Sequence, residues 1–238
     1  GDCRVEGPNT PPLKSAEEMV GRFQAELITA LPGWQERLRS HPEHLGELER
    51  EVHVAFSRGA DLLIAGLVAV VMKTATFDEA CERTREGFAY PLERGQPRTR
   101  RVRLLGGLVL WITSLYCAAH RTRRTAADEK VPGVYVELAQ FGCGKGCTPG
   151  LQSKVARQAA LCPSFELAQQ ELEREGVCLD PKSVRRMAIQ CGEDLLRLRW
   201  QELEWFRSGK LPAGRELAGK RVSVQLDGGR TRLRGDLR

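Results

Sequence analysis

The most constraining feature of this sequence is the stretch from residue 163 to residue 193, which has the start and stop signals of two short helices. Ser164 can cap the first helix through its hydroxyl, and Gly176 can end it, because glycine readily adopts the left-handed conformation found after many helices. Asp180 and Pro181 then supply an N-cap and a first-turn proline for the second helix. The stretch therefore predicts two helices joined by a glycine-containing turn.

The second of these helices has an apolar face and a basic face. The apolar positions recur at helical spacing and are expected to face inward; they are Val184, Met187, Ala188, Cys191 and Leu195. The basic face carries Lys182, Ser183, Arg185, Arg186 and Gln190. Arginine and glutamine can bind base edges, whereas lysine and serine can hold phosphates at a helix N-terminus. The pattern fits a helix-turn-helix in the major groove of DNA, and equally an ordinary helical hairpin with a solvated charged face.

Positive charge is concentrated in three places along the chain. The net charge is +6 and the pI about 9.0, and Lys and Arg cluster in residues 98–103, 121–124 and 220–238. Each cluster alone could be a solvated surface, but three of them favour double-stranded DNA as the partner. We therefore predict DNA contacts at Arg100, Arg101 and Arg103 in addition to the five residues of the basic helical face.

The first 95 residues are predicted to be helical. One helix opens at Ser15 and closes at Pro32-Gly33, a longer one runs from about residue 42 to about residue 73, and a third ends near residue 90. The second half of the long helix is apolar nearly all round, which predicts a position inside a bundle or at the interface of a homodimer. Its longest apolar run, residues 62–72, has eleven residues, which is too short to span a bilayer, so we expect no membrane association.

A small β-hairpin is predicted next. Two β-prone runs, residues 101–105 and 108–113, flank Gly106 and Gly107, which fit a tight hairpin because both glycines can take positive φ. Residues 91–100 predict a boundary before the hairpin, and residues 120–130 a basic linker after it. The predicted fold is mainly α with a small β-hairpin. Its four parts are residues 1–95 (helical), 96–130 (hairpin and linker), 131–208 (helix-turn-helix region) and 215–238 (a strand and the start of its partner).

Several phrases, in this order and spacing, resemble bacterial insertion-sequence transposases of the DDE type. They lie at residues 133–139 (Gly-Val-Tyr-Val-Glu-Leu-Ala), 148–151, 160–168, 184–187 and 211–234, the last containing Leu226-Asp-Gly-Gly-Arg-Thr-Arg-Leu-Arg234. The similarity runs from about residue 100 to the end of the sequence, whereas residues 1–95 share only their helical character. The resemblance implies recognition of transposon-end DNA, in the bacterial cytoplasm with the nucleoid.

The same resemblance implies that residues 215–238 begin a truncated ribonuclease H-like domain in which Asp227 is the first catalytic, metal-binding aspartate. Three carboxylates on two Mg²⁺ ions would carry out phosphoryl transfer on DNA in the full-length protein. Only Asp236 is acidic among the eleven residues after Asp227. We therefore expect this chain by itself to bind DNA without cleaving it. Without the resemblance, Asp227-Gly-Gly is better explained as a hairpin turn.

Zinc is an unfavoured cofactor on the sequence evidence. Cys143 and Cys147, with Cys117 and His120, have suitable ligand spacing, but a charged linker separates the pairs, and the remaining cysteines occupy apolar helical positions. No secretory signal precedes the eight cysteines, so we expect free thiols. Two alternatives to the transposase stay open: a non-catalytic helix-turn-helix regulator, and a zinc-stabilised helical scaffold without a DNA role.

Other residues are assigned structural roles. Glycines at positions 142, 144 and 146 could cradle a phosphate, but no Walker motif follows, and a loop between two helices is the better account. Surface or helix-cap positions are expected for the three histidines His41, His44 and His53. Core packing, rather than stacking on bases, is expected for Trp200, Trp205 and Phe206.

Overall fold

The computed structural model of the chain describes residues 2–5, 7–13, 15–88, 92–119 and 133–210. These residues form a mainly helical structure with a small antiparallel sheet. The elements are β1 Cys3–Val5, α1 Ala16–Ser40, a 3₁₀ turn Pro42–His44, α2 Leu45–Val71, α3 Ala75–Glu86, β2 Leu92–Arg103, β3 Val109–Ala119, β4 Val134–Tyr135, α4 Val136–Gln140, α5 Pro149–Leu161, α6 Phe165–Arg174 and α7 Pro181–Arg207. Within these ranges, the residues up to Asp194 form one compact unit, and residues 195–210 belong to a second. The predictions for residues 120–130 and for Asp227 lie outside the described residues.

The helices α1 and α2 pack against each other in opposite directions. Phe23 lies edge-on to Phe56, with ring centroids 5.6 Å apart, and Arg37 forms an ion pair with Glu51. The prediction that α1 ends at Pro32 is wrong, since the helix continues to Ser40. Proline has a helical φ and removes only one backbone hydrogen bond, and contacts beyond it, such as that of Arg37, hold the last turns in place.

The long predicted helix is confirmed as the 3₁₀ turn and α2, but its apolar half does not lie inside a bundle. One face is buried and includes Leu62, Ala65 and Ala69. The other face stays exposed over its whole length; its exposed apolar residues are Phe56, Leu63, Ile64, Leu67, Val70 and Val71. The helix is therefore covered on one side only.

By length and composition alone, the segment Pro42–Val71 is apolar enough to cross a membrane. An 18-residue window of it has a mean hydropathy of 1.8, and 33% of that window is buried inside the protein. The expectation of no membrane association rested on the length of one uninterrupted apolar run, and it stays a prediction. Core helices of proteins that never enter a bilayer have the same length and hydropathy.

The sheet has β3 in its centre. It pairs antiparallel with β2 along one edge, and with β1 and then β4 along the other. The register places Val5, Leu110 and Val102 side by side, all buried against the face of the sheet that packs on α2. In the gap between β1 and β4, Glu137 accepts the backbone N–H of Leu115 at 2.7 Å. A carboxylate thus supplies the hydrogen bond that a neighbouring strand would otherwise make.

The predicted hairpin is confirmed, with a different turn. Leu104 and Leu108 pair across the loop, and of its two glycines only Gly107 has a positive φ, of 95°. A three-residue loop that ends in the left-handed conformation explains the difference, because it needs only one such position. Gly106 is required for space instead, since a Cβ there would lie 2.5 Å from the carbonyl oxygen of Ser57 on α2.

A buried carboxylate fastens this hairpin tip to α2. Asp61 accepts the backbone N–H groups of Gly106 at 3.0 Å and Leu108 at 2.9 Å. Burial raises the pKa of the Asp61 carboxyl, and the two N–H donors oppose that shift. Both donors depend on this one side chain for their hydrogen bonds.

We expect Asp61→Ala to lower the free energy of unfolding by about 2–4 kcal/mol, because two backbone donors lose their acceptor in a water-poor site. Urea denaturation followed by circular dichroism measures the change. Glu49→Ala, which removes an exposed carboxylate from the same helix, is the control and should change the stability by less than about 0.5 kcal/mol. Equal effects of the two substitutions would contradict the proposed role of Asp61.

Candidate nucleic-acid interface

The capping signals of the two short helices are confirmed. The Ser164 hydroxyl accepts the Leu167 N–H at 3.2 Å, and Gly176 has a φ of 84° after the last turn of α6. Asp180 accepts the Ser183 N–H at 2.8 Å, and the hydrogen bonds from Ser183 lower the pKa of the Asp180 carboxyl. The start of α7 is therefore fixed by local hydrogen bonds.

A second hydrophobic core joins α5, α6 and α7. The buried residues of α7 in this core are Val184 and Met187, which pack with Ala168 and Leu172 of α6. Ala188 and Cys191 are half-buried. The prediction that Leu195 faces inward is wrong, since 66% of it is exposed. The helical spacing of apolar residues in the sequence continues past Met187, but no residue of α7 after Met187 belongs to this core.

The face of α7 opposite this core, which we call the α7 basic face, consists of Lys182, Ser183, Arg185, Arg186 and Gln190. Its three cationic side chains are exposed, whereas Ser183 and Gln190 are half-buried. Arg186 donates to the Ser183 hydroxyl at 3.1 Å, and Gln190 donates to Asp194 at 3.2 Å. Among the described residues, neither Lys182 nor Arg185 pairs with a carboxylate.

Several arginines elsewhere in the described structure have acidic partners. Arg39 of α1 pairs with Glu36 at 2.6 Å, and Arg174 of α6 pairs with Glu171 at 2.5 Å. Lys182 and Arg185 of the α7 basic face are not paired in this way within the described residues, and Arg101 of β2 shares this property. Such a surface attracts polyanions.

The turn before α7 rests on the hairpin tip. A Cβ at Gly107 would lie only 2.2 Å from the carbonyl oxygen of Gly176, and one at Gly176 would lie 3.1 Å from Val54 of α2. The two backbones are thus packed without intervening side chains. This contact holds the α6–α7 pair against the sheet.

The predicted basic cluster at residues 98–103 lies on a strand. Residues 92–100, predicted as a boundary, belong to β2, which continues to Arg103. Because side chains alternate along a strand, Arg100 lies on the opposite face from Arg101 and Arg103. The three arginines predicted to contact DNA therefore do not share one surface. Arg101 is exposed, and Arg103 is half-buried and donates to the Gly107 carbonyl at 3.3 Å.

Two of the strand arginines stack on tyrosines. The guanidinium of Arg100 lies 4.4 Å from the ring centroid of Tyr135, and that of Arg98 lies 4.7 Å from Tyr116. The two rings are 5.0 Å apart. Sequence reasoning did not include Arg98 or the tyrosines among the site residues, because only the pairing of β2, β3 and β4 brings them together.

The cysteine pair Cys143 and Cys147 lies in a loop that joins α4 to α5, as expected for the glycines around it. Cys143 packs against the sheet core, and Cys147 belongs to the helical core. Burial raises the pKa of the Cys143 thiol to about 11, and burial also raises the pKa of Cys117. In the ranges that the structure describes, no three His, Cys, Asp or Glu side chains form a metal site, and His120 lies outside those ranges.

Two further predictions concern histidines of the N-terminal helices and aromatic residues of α7; the first is confirmed and the second is wrong. His41 follows the last residue of α1 and contacts Glu43 at 3.1 Å, and His44 and His53 are also exposed, so their surface and cap roles are confirmed. The prediction that the α7 aromatic residues pack in a core is wrong, because all three are exposed: Trp200, Trp205 and Phe206. Within the described part of the second unit, residues 195–210, these rings are not buried.

No protein-family model matches this chain, and no curated protein or solved structure matches it significantly. Its function is therefore inferred from the basic surfaces of α7 and β2.

Proposed function

We propose that this chain is the DNA-recognition part of a DDE-type insertion-sequence transposase and that the α7 basic face binds transposon-end duplex DNA. The supporting observation is that Lys182, Arg185 and Arg186 are exposed at the start of a helix whose position is fixed by its cap and by the Gly176 turn. A helix presented in this way has the width to enter a major groove.

The residues of the α7 basic face would have different roles in DNA binding. Arg185 and Arg186 reach base edges, where a bidentate arginine discriminates guanine, and Lys182 near the helix N-terminus holds a phosphate. Gln190, one turn further on, reads an adjacent base after releasing Asp194. Arginines of β2 add phosphate contacts, which strengthen binding without reading sequence.

Catalysis belongs to the same proposal but not to the described residues. In the full-length protein Asp227 would hold Mg²⁺ together with two further carboxylates, and the metal would supply a Lewis acid for phosphoryl transfer. Asp227 lies outside the described ranges. Zinc has no role in this proposal.

The test is a selection on the full chain, in which duplexes with a random 12-base-pair centre are enriched over several rounds. We expect one recurrent motif that also occurs in the inverted repeats flanking the gene. For that motif, the plot of log affinity against log salt concentration should fall with a slope of about −4 or steeper, since each phosphate contact contributes about −0.9. Absence of any enriched motif would reject recognition of specific ends, and a flat salt dependence would reject DNA binding altogether.

We also propose that the exposed apolar stripe of α2 joins two copies of this chain in a homodimer. Phe56, Leu63, Leu67 and Val70, with Ala60, follow the alternating three- and four-residue spacing of a coiled-coil seam. Two copies joined along this seam would present two α7 basic faces to the two ends of a transposon. Sedimentation velocity of the full chain distinguishes dimer from monomer.

A further inference from the structure

The face of the sheet directed away from α2 carries a tryptophan that belongs to neither hydrophobic core. Trp111 lies in the middle of β3, where its neighbours in sequence, Leu110 and Ile112, point to the opposite face and are buried. The half-buried indole of Trp111 is not among the residues packed against either core. Core packing does not explain its position.

Register determines what surrounds the indole. Arg4 of β1 and Arg101 of β2 flank Trp111 on its two sides. In the next row Thr99 and Thr113 face each other, with their hydroxyl oxygens 3.2 Å apart. In the preceding row Arg103 is opposite Val109. We call this surface the Trp111 face.

The charge on the Trp111 face is concentrated at β2. On the β1 side, Arg4 is neutralised by Asp2 at 2.6 Å. On the β2 side, neither Arg101 nor Arg103 has a carboxylate partner among the described residues. In the part of the chain that the structure describes, the Trp111 ring therefore lies beside two arginines that have no carboxylate partner.

We propose that the Trp111 face binds single-stranded nucleic acid, with the indole stacked on one base and with Arg101 and Arg103 on the flanking phosphates. Side chains two residues apart on a strand are separated by about 6.8 Å, which is comparable with the spacing of successive phosphates in an extended single strand. The Thr113 side chain is also hydrogen-bonded to Asp2, so of the two threonines it is Thr99 that can bond to a base or sugar. Aromatic stacking beside cations is the chemistry by which proteins bind single strands without sequence preference.

A single strand fits this face better than a duplex does. The bases of a duplex are stacked on one another inside the helix, so their faces are not available to a ring on the surface of a sheet. A strand with unpaired bases can place one base flat on Trp111 while its backbone follows β2. The inference uses no residue of the α7 basic face, and the arginines of β2 are the only residues that it shares with the proposed recognition of transposon ends.

The test measures fluorescence anisotropy of a labelled twelve-residue oligothymidylate with the full chain at low salt. Trp111→Leu should weaken binding about tenfold, and Trp111→Phe should restore most of the affinity, because it keeps an aromatic face. Trp34→Leu, at a half-buried tryptophan of α1, is the matched control and should leave the affinity unchanged. Arg101→Glu, at an exposed position that should not affect folding, should weaken binding at least tenfold.

A second measurement uses the unaltered protein, so its result does not depend on whether a variant folds. Ultraviolet crosslinking to an oligothymidylate that contains 5-iodouridine should label the tryptic peptide of residues 104–121, which includes Trp111. Crosslinks confined to other peptides, equal affinities of Trp111→Leu and Trp34→Leu, or equally strong binding of thymidine monophosphate would overturn the proposal.

A duplex of the same length, measured in parallel, separates this inference from the proposed function. Trp111→Leu should leave the duplex affinity unchanged, whereas loss of Arg185 and Arg186 should weaken the duplex and not the oligothymidylate. Parallel loss of both affinities in either variant would overturn the assignment of two separate surfaces.

Discussion

Gly107→Val is expected to lower the free energy of unfolding by about 3–5 kcal/mol, which is a large part of the stability of a typical domain. Valine is strained at a φ of 95°, and its Cβ would lie 2.2 Å from the carbonyl oxygen of Gly176. The hairpin tip and the turn before α7 would have to move apart. Urea denaturation followed by circular dichroism measures the loss.

The control for this substitution is Gly21→Ala. Gly21 lies inside α1, and nothing lies within 4 Å of the position that a Cβ would occupy. Alanine should therefore stabilise the protein by about 0.5–1 kcal/mol through helix propensity alone. If Gly107→Val is tolerated as well as Gly21→Ala, the close contact between the two backbones does not exist in solution.

Arg185→Ala combined with Arg186→Ala is expected to weaken duplex binding about a hundredfold. The estimate assigns about 1–3 kcal/mol to each arginine that reaches a base edge or a phosphate, and about 1.4 kcal/mol corresponds to tenfold in affinity. The selected duplex is the probe, and its affinity is measured at two salt concentrations. Stability should change by less than about 0.5 kcal/mol, because both side chains are exposed, lie outside the helical core, and lose only the surface hydrogen bond from Arg186 to Ser183.

A control must distinguish the effect of removing two positive charges from the effect of removing the two proposed DNA contacts of Arg185 and Arg186. Arg39→Ala combined with Arg174→Ala removes the same charge from two ion pairs, with Glu36 and Glu171. This variant should weaken duplex binding by no more than about threefold, since distant surface charges are screened by salt. Equal losses in the two double variants would show that only net charge matters, and α7 would then have no place in the groove.

Local signals predicted much of the helical region correctly. The caps at Ser164 and Asp180 and the turn at Gly176 depend on hydrogen bonds and backbone angles within a few residues, so they can be recognised in the sequence. The basic face of α7 follows from helical spacing once the start of the helix is known. The same reasoning failed at Leu195, because the sequence does not show where the packing partner of a helix ends.

The long-range pairing of the β-strands could not be predicted from the sequence. Residues 92–100 contain glycine, proline and several charges, which favour a loop, yet β3 supplies a complete partner for them and the shift of register between Arg94 and Pro97 accommodates the irregularity. The faces of Arg100 and Arg101 depend on that pairing. The neighbours of Trp111 also come from two other strands, and they can be recognised only when the register is known.

The contact between the hairpin tip and the turn before α7 limits how this sequence can vary in evolution. Position 61 must provide two acceptors, position 106 has a carbonyl group against it, and position 107 faces the backbone at position 176. A larger residue at any one of these sites requires compensating changes at the others. Natural variants of this protein should therefore change these positions together or leave them all as they are, while the exposed arginines remain free to adapt to new ligands.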